Sequence, residues 1–402
     1  MLEIKGKTST AICYASIIEP KAIDQIRRMC DYEFTRGSKI RIMPDVHAGK
    51  GCTIGTTMTV VDKAVPNIVG VDIGCGMYTV ELGKEDIDLK KLDEVAHFIP
   101  SGMNVWNDIQ ENFNIEELKC YDQLINIDWL KCSLGSLGGG NHFIEVDVSE
   151  DGTKYLIIHS GSRNLGKQVA QIYQEKAIDQ CKGISVYKEE KNNIVENLKA
   201  KGRFQEIETA LKNFEKKKLE QAVDMPDDLC YVSGKLLEDY LYDVEICQRF
   251  AKRNRELMAE IILKQTGIIS YSSFHTIHNY IDMQEMILRK GSIAAHDGEK
   301  VLIPINMRDG SVLAIGKGNS EWNYSAPHGA GRLMSRMQAK ENISLEDYKK
   351  SMEGVYTTSV NLETLDEAPM AYKSLNDIID VIKETVDIIE VMKPIYNFKA
   401  SE

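Results

Sequence analysis

The hydrophobic and polar positions of this chain change period several times, and the changes predict interleaved strands and helices. Thr10 to Ile18 is mostly apolar, and a short helical pattern runs from about Lys21 to Asp31. Lys39-Ile40-Arg41-Ile42-Met43 alternates as a strand does and leads into the polar, glycine-bearing loop Pro44 to Gly51. Further apolar runs reach Ile68-Val69-Gly70-Val71-Asp72-Ile73-Gly74-Cys75-Gly76-Met77, and Asp86 to about Phe98 reads as helix.

The clearest local prediction is a hairpin. Asn141 to Val148 and Thr153 to Ser160 flank Ser149-Glu150-Asp151-Gly152, and Asp-Gly is a strong turn signal. With Asp151-Gly152 at the centre of a two-residue turn, Glu150 pairs with Thr153 and His159 lies opposite Ile144. His142 is then its diagonal neighbour, on a face shared with Ile144, Val146, Val148, Tyr155 and Ile157. Diagonal neighbours sit roughly 7–8 Å apart, so two imidazoles could converge on one metal. Glu145 falls on the opposite face, and a three-residue turn would reverse this parity.

Beyond the hairpin, residues 188–221 are rich in Lys, Glu and Leu with Gly202 as a break, which predicts an inserted helical hairpin solvated on one side. Ser233 to about Gln265 reads as a long helix carrying Arg253-Asn254-Arg255. Strands resume from His275, and Lys300–Arg308 and Ser311–Ile315 flank another Asp-Gly turn. The last helical pattern covers about Asn376 to Met392, with Pro394 as its stop.

Composition narrows the class without naming a reaction. The 402 residues suffice for one large domain or two, and no run is long and apolar enough to cross a bilayer or to serve as a signal-peptide core. Nine scattered cysteines do not form a disulfide framework and fit a reducing cytoplasm. A net charge of −12 argues against a protein that coats nucleic acid nonspecifically, but not against an enzyme whose positive charge is local or metal-borne.

Chemistry concentrates in a few stretches. His328-Gly329-Ala330-Gly331-Arg332 opens what reads as a helix, placing Arg332 and Arg336 on one face. Backbone N–H groups and guanidinium forks there suit phosphate, and a neutral imidazole beside them could attack phosphorus; equally, His328 could simply cap the helix. Asp72-Ile73-Gly74-Cys75-Gly76 can offer a carboxylate and a thiolate from one tight turn. With His142, His159 and His278 it makes a plausible metal set, whose donor types favour zinc over manganese. Of the other histidines, His97 reads as structural, His275 and His296 have no motif support, and His47 sits in a polar loop beside Asp45 and Lys50. His159-Ser160-Gly161-Ser162-Arg163 and Arg289-Lys290-Gly291 are further candidate oxyanion contacts, and Gly135 to Gly140 forms a second glycine-rich approach to His142.

Several ordered motifs together resemble the RtcB-type RNA ligase family over nearly the whole chain. They are Met43-Pro44-Asp45-Val46-His47, Val71 to Met77, Gly138 to Glu145, His159 to Arg163, His278-Asn279, Arg289 to Gly291 and His328 to Arg332. The resemblance implies a single α+β domain with a deep cleft holding two Mn²⁺ ions. Asp72, Cys75, His142, His159 and His278 match its metal ligands, with Cys75 as the bridge, and His328 matches the histidine that becomes guanylylated. Asn141, Glu145, Arg163, Lys290, Arg332 and Tyr372 match positions near nucleotide or phosphate, and Lys399 matches a lysine that contacts guanine. The implied activity is GTP-dependent joining of RNA 3′-phosphate or 2′,3′-cyclic phosphate ends to 5′-hydroxyl ends, in tRNA splicing or RNA repair. An archease-type activator accompanies some members. The chain departs from the family pattern at Gly316-Lys317-Gly318-Asn319, where a Gly-Ser-Met core is expected, and at Pro327, where a Cys is expected. A dinuclear metal phosphatase or cyclic phosphodiesterase without ligation is the rival enzyme, and an RNA-end binding protein the non-enzymatic one.

Overall fold

The computed structural model describes residues 1–221 and 225–399, and two sheets dominate it. One has the order Leu2–Lys5, Thr10–Cys13, Ile40–His47, Ile54–Thr59, Ile287–Lys290, Asn279–Asp282. The other has seven strands, in the order Ser273–Ile277, Gly76–Gly83, Lys154–Ser160, Phe143–Val148, Val386–Lys399, Gly310–Gly316, Lys300–Asn306. Helices cover both, so the class is α+β. Among the described residues no helix is long and apolar enough to cross a membrane, and all nine cysteines are free.

The two faces of the seven-stranded sheet have different fates. Val80, Ile144, Val146, Leu156 and Ile158 pack with Leu92, Val95, Met258 and Ile262 from the helices Leu89–Phe98 and Lys235–Thr266. The other face carries Met77, Phe143, Tyr155 and Ile157, which meet Leu302, Leu313 and Met392 where the sheet curls over. Between these apolar rows that face opens as a cleft.

Strand pairing corrects the hairpin register. Phe143, not Ile144, pairs with His159, and Val148 pairs with Lys154. The turn has three central residues, Glu150, Asp151 and Gly152, closed by Ser149 N–H donating to the Thr153 carbonyl at 2.9 Å. Ser149 Oγ and Thr153 N–H both bond Asp151 Oδ1, which favours the longer turn over the tight one. One extra turn residue flips the parity, so His159 shares its face with Phe143, Glu145 and Asp147 instead of Ile144 and Val146.

The chain's end differs more. The helix Leu375–Ile382 stops early, and Val386–Lys399 is a strand between Phe143–Val148 and Gly310–Gly316. Pro394 stops no helix; it sits at a register shift of that strand, where a missing N–H is tolerated. The apolar spacing Ile388-Ile389-Val391-Met392 suits helix or strand, and two waiting sheet edges decided it.

Earlier in the chain, helices Ile184–Ala200 and Ile207–Gln221 occupy the predicted 188–221 region, the first beginning four residues sooner. Tyr187 stacks on Phe214 and Lys191 pairs with Glu215 at 2.8 Å, so the two run side by side.

Candidate active site

Each functional side chain is delivered by backbone pairing. The Asp72 loop turns at Gly74, with φ of +74°, and Cys75 N–H donates to the Asp72 carbonyl at 3.2 Å. Ile277 pairs with Gly76, and His278 N–H donates to the Cys75 carbonyl at 2.9 Å, which brings the backbone of His278 beside Cys75. His159 arrives from the neighbouring strand, where it pairs with Met77. His142 precedes its strand, so loop geometry rather than strand parity aims its ring. Its Nδ1 bonds the Leu137 carbonyl at 2.9 Å.

The result is a tight cluster. Cys75 Sγ lies 3.4 Å from His142 Nε2 and 3.3 Å from His159 Nε2. His142 Nε2 is 3.0 Å from Asp72 Oδ2, and His159 and His278 face each other through Nε2 at 3.4 Å. His159 Nδ1 bonds the Asn141 carbonyl at 3.1 Å. Fixing Nδ1–H on a carbonyl leaves Nε2 with its lone pair turned inward, as a metal-binding imidazole requires. Burial pushes His159 and His278 well below the ordinary histidine range, which keeps them neutral. Burial and then Asp72 push the Cys75 thiol well up, so a thiolate here calls for a cation. Burial also raises Asp72, but the hydrogen bond and charge of His142 outweigh it and hold the carboxyl below its usual range. Among the described residues Cys75, His142 and His159 bring their ligand atoms close enough to share one ion, with Asp72 beside His142 and His278 beside His159, and this donor chemistry fits a metal.

Two residues of the long helix fasten the surrounding loops. Arg255, fully buried, donates to the carbonyls of Gly74 and Ser160, both at 2.7 Å. Asn254 accepts from Gly135 and Ser136 N–H and donates to the Gly161 carbonyl. The sequence placed both on a long helix and offered no signal for this role.

His328 lies beside the cluster, its ring centroid 4.9 Å from that of His278. Ser292 pairs with Pro327, which sets His328 next to Gly291. Gly291 has φ of +57°, and a side chain there would meet His328 Cε1 at 3.3 Å. His328 caps no helix. Its Nδ1 bonds Asp45 Oδ2 at 2.7 Å, and its backbone N–H reaches the same oxygen at 3.3 Å. Asp45 is buried, so the Nδ1–H tautomer is held and Nε2 is left as a nucleophile. Sequence reasoning noted Asp45 only as a neighbour of His47. The partnership spans 283 positions and no spacing rule reaches it.

Arg332 and Arg336 do not share a helix face. The helix begins at Arg336, capped by Ser335, and Arg332 belongs to an extended segment bridged to Tyr372. Gly331, with φ of +73°, belongs to that non-helical stretch. Both arginines nonetheless reach the cleft wall, where Glu367 faces them at 3.4 and 3.7 Å.

The cleft encloses about 310 Å³. Asp72, Cys75, His159, His278 and His328 line it together with Asn141, Glu145, Arg332, Tyr372 and Lys399. Cross-strand rows explain the last of these: Lys399 pairs with Phe143, and Asn397 with Glu145, whose Oε2 accepts from Asn397 Nδ2 at 2.5 Å. Glu145 thus shares the cleft, contrary to the predicted register.

Two predicted contacts are turned elsewhere. Arg163 donates to Ser136 Oγ at 3.0 Å and the Gly102 carbonyl at 2.7 Å, packed behind the His142 loop. Burial lowers it to about 10. Lys290 donates to the carbonyls of Lys50 and Asn67, and Arg289 to Ser325 Oγ, Tyr280 OH and the Asn323 carbonyl. These buried cations satisfy backbone oxygens and do not line the cleft, because interior strands leave little else to bond them. The atypical Gly316 to Asn319 stretch lies away from the cleft lining as well. His97 and His275 are outside it, the latter held by Glu256 at 3.2 Å. His296 joins Asp282 and Glu285 in a second cluster, whose carboxylates already face Arg289 at 3.7 and 3.8 Å.

Known proteins resemble this chain over most of its length. Residues 25–127 and 123–400 match the family described as tRNA-splicing ligase RtcB. The RNA-splicing ligase RtcB of Escherichia coli K12 is 28% identical, over 89% of this chain and 88% of its own length. RNA-splicing ligase RtcB2 of Escherichia coli ATCC 25922 is 26% identical over 96% and 93%, and tRNA-splicing ligase RtcB of Archaeoglobus fulgidus 25% identical over 91% and 88%. The family match and these relatives together define a ligase enzyme. The chain belongs to the tRNA-splicing ligase RtcB family.

Proposed function

We propose that this protein is a GTP- and Mn²⁺-dependent RNA ligase that joins 3′-phosphate or 2′,3′-cyclic phosphate ends to 5′-hydroxyl ends, in tRNA splicing or RNA repair. The observation that carries the reading is His328, braced by Asp45, facing a Cys/Asp/His cluster inside one cleft whose far wall is basic. Asp72, Cys75, His142, His159 and His278 would hold two Mn²⁺ ions, which supply Lewis-acid offset of phosphate charge.

In the first step His328 Nε2 attacks the α-phosphorus of GTP. A P–N bond forms, the P–O bond to pyrophosphate breaks, and the ring gains positive charge. Asp45 holds the Nδ1 proton and balances that charge across 2.7 Å. An oxygen of the RNA 3′-phosphate then attacks the same phosphorus, frees His328 and carries GMP away as an activated diphosphate end. Finally the 5′-hydroxyl attacks the RNA phosphorus and GMP leaves, giving a 3′,5′-phosphodiester. A 2′,3′-cyclic phosphate is opened by water beforehand. Arg332, with Arg336 behind it, orients phosphate oxygens, and Asn141, Glu145, Tyr372 and Lys399 line the nucleotide's place.

Incubation with α-labelled GTP tests this. Label retained on the denatured protein, absent from His328→Ala, and ligated product from defined RNA ends are expected. Phosphate release from RNA ends with no protein label would instead establish a hydrolase.

A further inference from the structure

Glu367 stands on the basic wall of the cleft, only 2% exposed, in the short turn Leu365–Glu367. Its Oε2 accepts from Lys399 Nζ at 2.5 Å and from Tyr372 OH at 2.6 Å. Its Oε1 faces Arg332 Nη1 at 3.4 Å and Arg336 Nη2 at 3.7 Å. Arg332 Nη1 also donates to Tyr372 OH at 3.0 Å, and the guanidinium lies over the Tyr372 ring at 4.9 Å. Burial would raise the Glu367 carboxyl, but Lys399 and Tyr372 outweigh it and hold it at about 2. The neighbouring Asp366 takes Lys340 at 3.4 Å and Arg336 at 3.6 Å, so Arg336 has a second anion and Lys399 does not share it.

Three separate stretches of chain thus bring their donors to one carboxylate. A buried acid beside a phosphate site is counterintuitive, since it repels the ligand. It gains its place by what it orders. Free lysine and arginine heads carry substantial rotamer entropy, and ordering them during folding removes that cost from ligand binding.

We infer that Glu367 is a positioning residue of the nucleotide site: one carboxylate aims Lys399 and Tyr372 at the nucleoside. This rests on the GTP reading above. It makes Glu367 act through Lys399 and Tyr372 rather than on the reacting atoms, so its loss changes capture of GTP and not the attack by His328.

The experiment is single-turnover labelling of full-length protein over a range of GTP concentrations, with Glu367→Gln, Lys399→Met and the double variant. Glu367→Gln is expected to raise the half-saturating GTP concentration about tenfold or more while the rate at saturation stays within about threefold. The double variant is expected to lose less than the product of the two single losses, because coupled residues are not additive. Removing both charges also leaves no unpaired buried ion between them, so the double variant tests the idea where Glu367→Gln unfolds. An unchanged or lower half-saturating concentration in Glu367→Gln overturns the inference, since the carboxylate would then be neutral or a competing anion. So does a double variant whose loss is the product of the two single losses. Wild-type protein that takes no label overturns the GTP reading itself, and this inference with it.

Discussion

Replacing Asp45 by Asn removes one charge from the nucleophile's partner and little else. The Asp45 Oδ2 atom accepts both His328 Nδ1–H, at 2.7 Å, and His328 backbone N–H, at 3.3 Å. An asparagine oxygen in that place keeps both bonds, so the tautomer survives. What disappears is the negative charge opposite a ring that becomes cationic as the P–N bond forms. With charge centres about 4 Å apart and an effective dielectric near 20, that attraction is worth about 4 kcal/mol. The Asp45 side chain is 2% exposed but that of His328 is 20% exposed, so solvent screens part of it. At about 1.4 kcal/mol per decade, the rate of His328 labelling by GTP should fall roughly 10²- to 10³-fold. Single-turnover labelling at saturating GTP measures this directly, with the thermal midpoint and bound metal as controls. A rate within about threefold of wild type, in a folded and metal-loaded variant, would show that Asp45 carries no charge role.

Cys75→Ser should lower Mn²⁺ affinity by about 100-fold or more, read by metal titration, because its sulfur lies within reach of both His142 and His159; unchanged affinity would remove Cys75 from the ligand set. Gly138→Ala should weaken metal binding in a folded protein, since Gly138 has φ of +88° and a methyl group would press on His142 Nδ1 at 2.6 Å and on the Arg163 guanidinium; retained affinity would show that the loop yields freely. Asp147 is fully buried beside Glu145, and burial pushes it up to about 6. An acid with a raised folded pKa favours the fold least above that value and not at all differently below its unfolded value, so stability falls between about pH 4 and 6. Asp147→Asn should therefore raise the thermal midpoint at pH 8 and leave it nearly unchanged at pH 3; a lower midpoint at pH 8 would show that Lys393 and Ser311 stabilise the ionised carboxylate by more than its burial costs.

Local chemistry was legible in the sequence wherever it depended on neighbours in the chain. The Asp72-to-Cys75 turn, the alternation of Ile40 to Met43, the Asp-Gly turns and the long helix around Asn254 follow from short-range sterics and hydrophobic period, which act over a few residues. The donor types of the metal cluster were readable too, since only certain side chains bind such ions. Tertiary structure alone decided the rest. It chose a three-residue turn that put Glu145 and Asp147 on the face of His159. It drew residues 386–399 into a strand between two open edges, which is how Lys399 reaches the cleft. It sealed Arg289 and Lys290 against backbone carbonyls and gave His328 its partner in Asp45. Pairing across hundreds of residues depends on which edges and orphan polar groups the rest of the fold leaves open, and no local pattern contains that information.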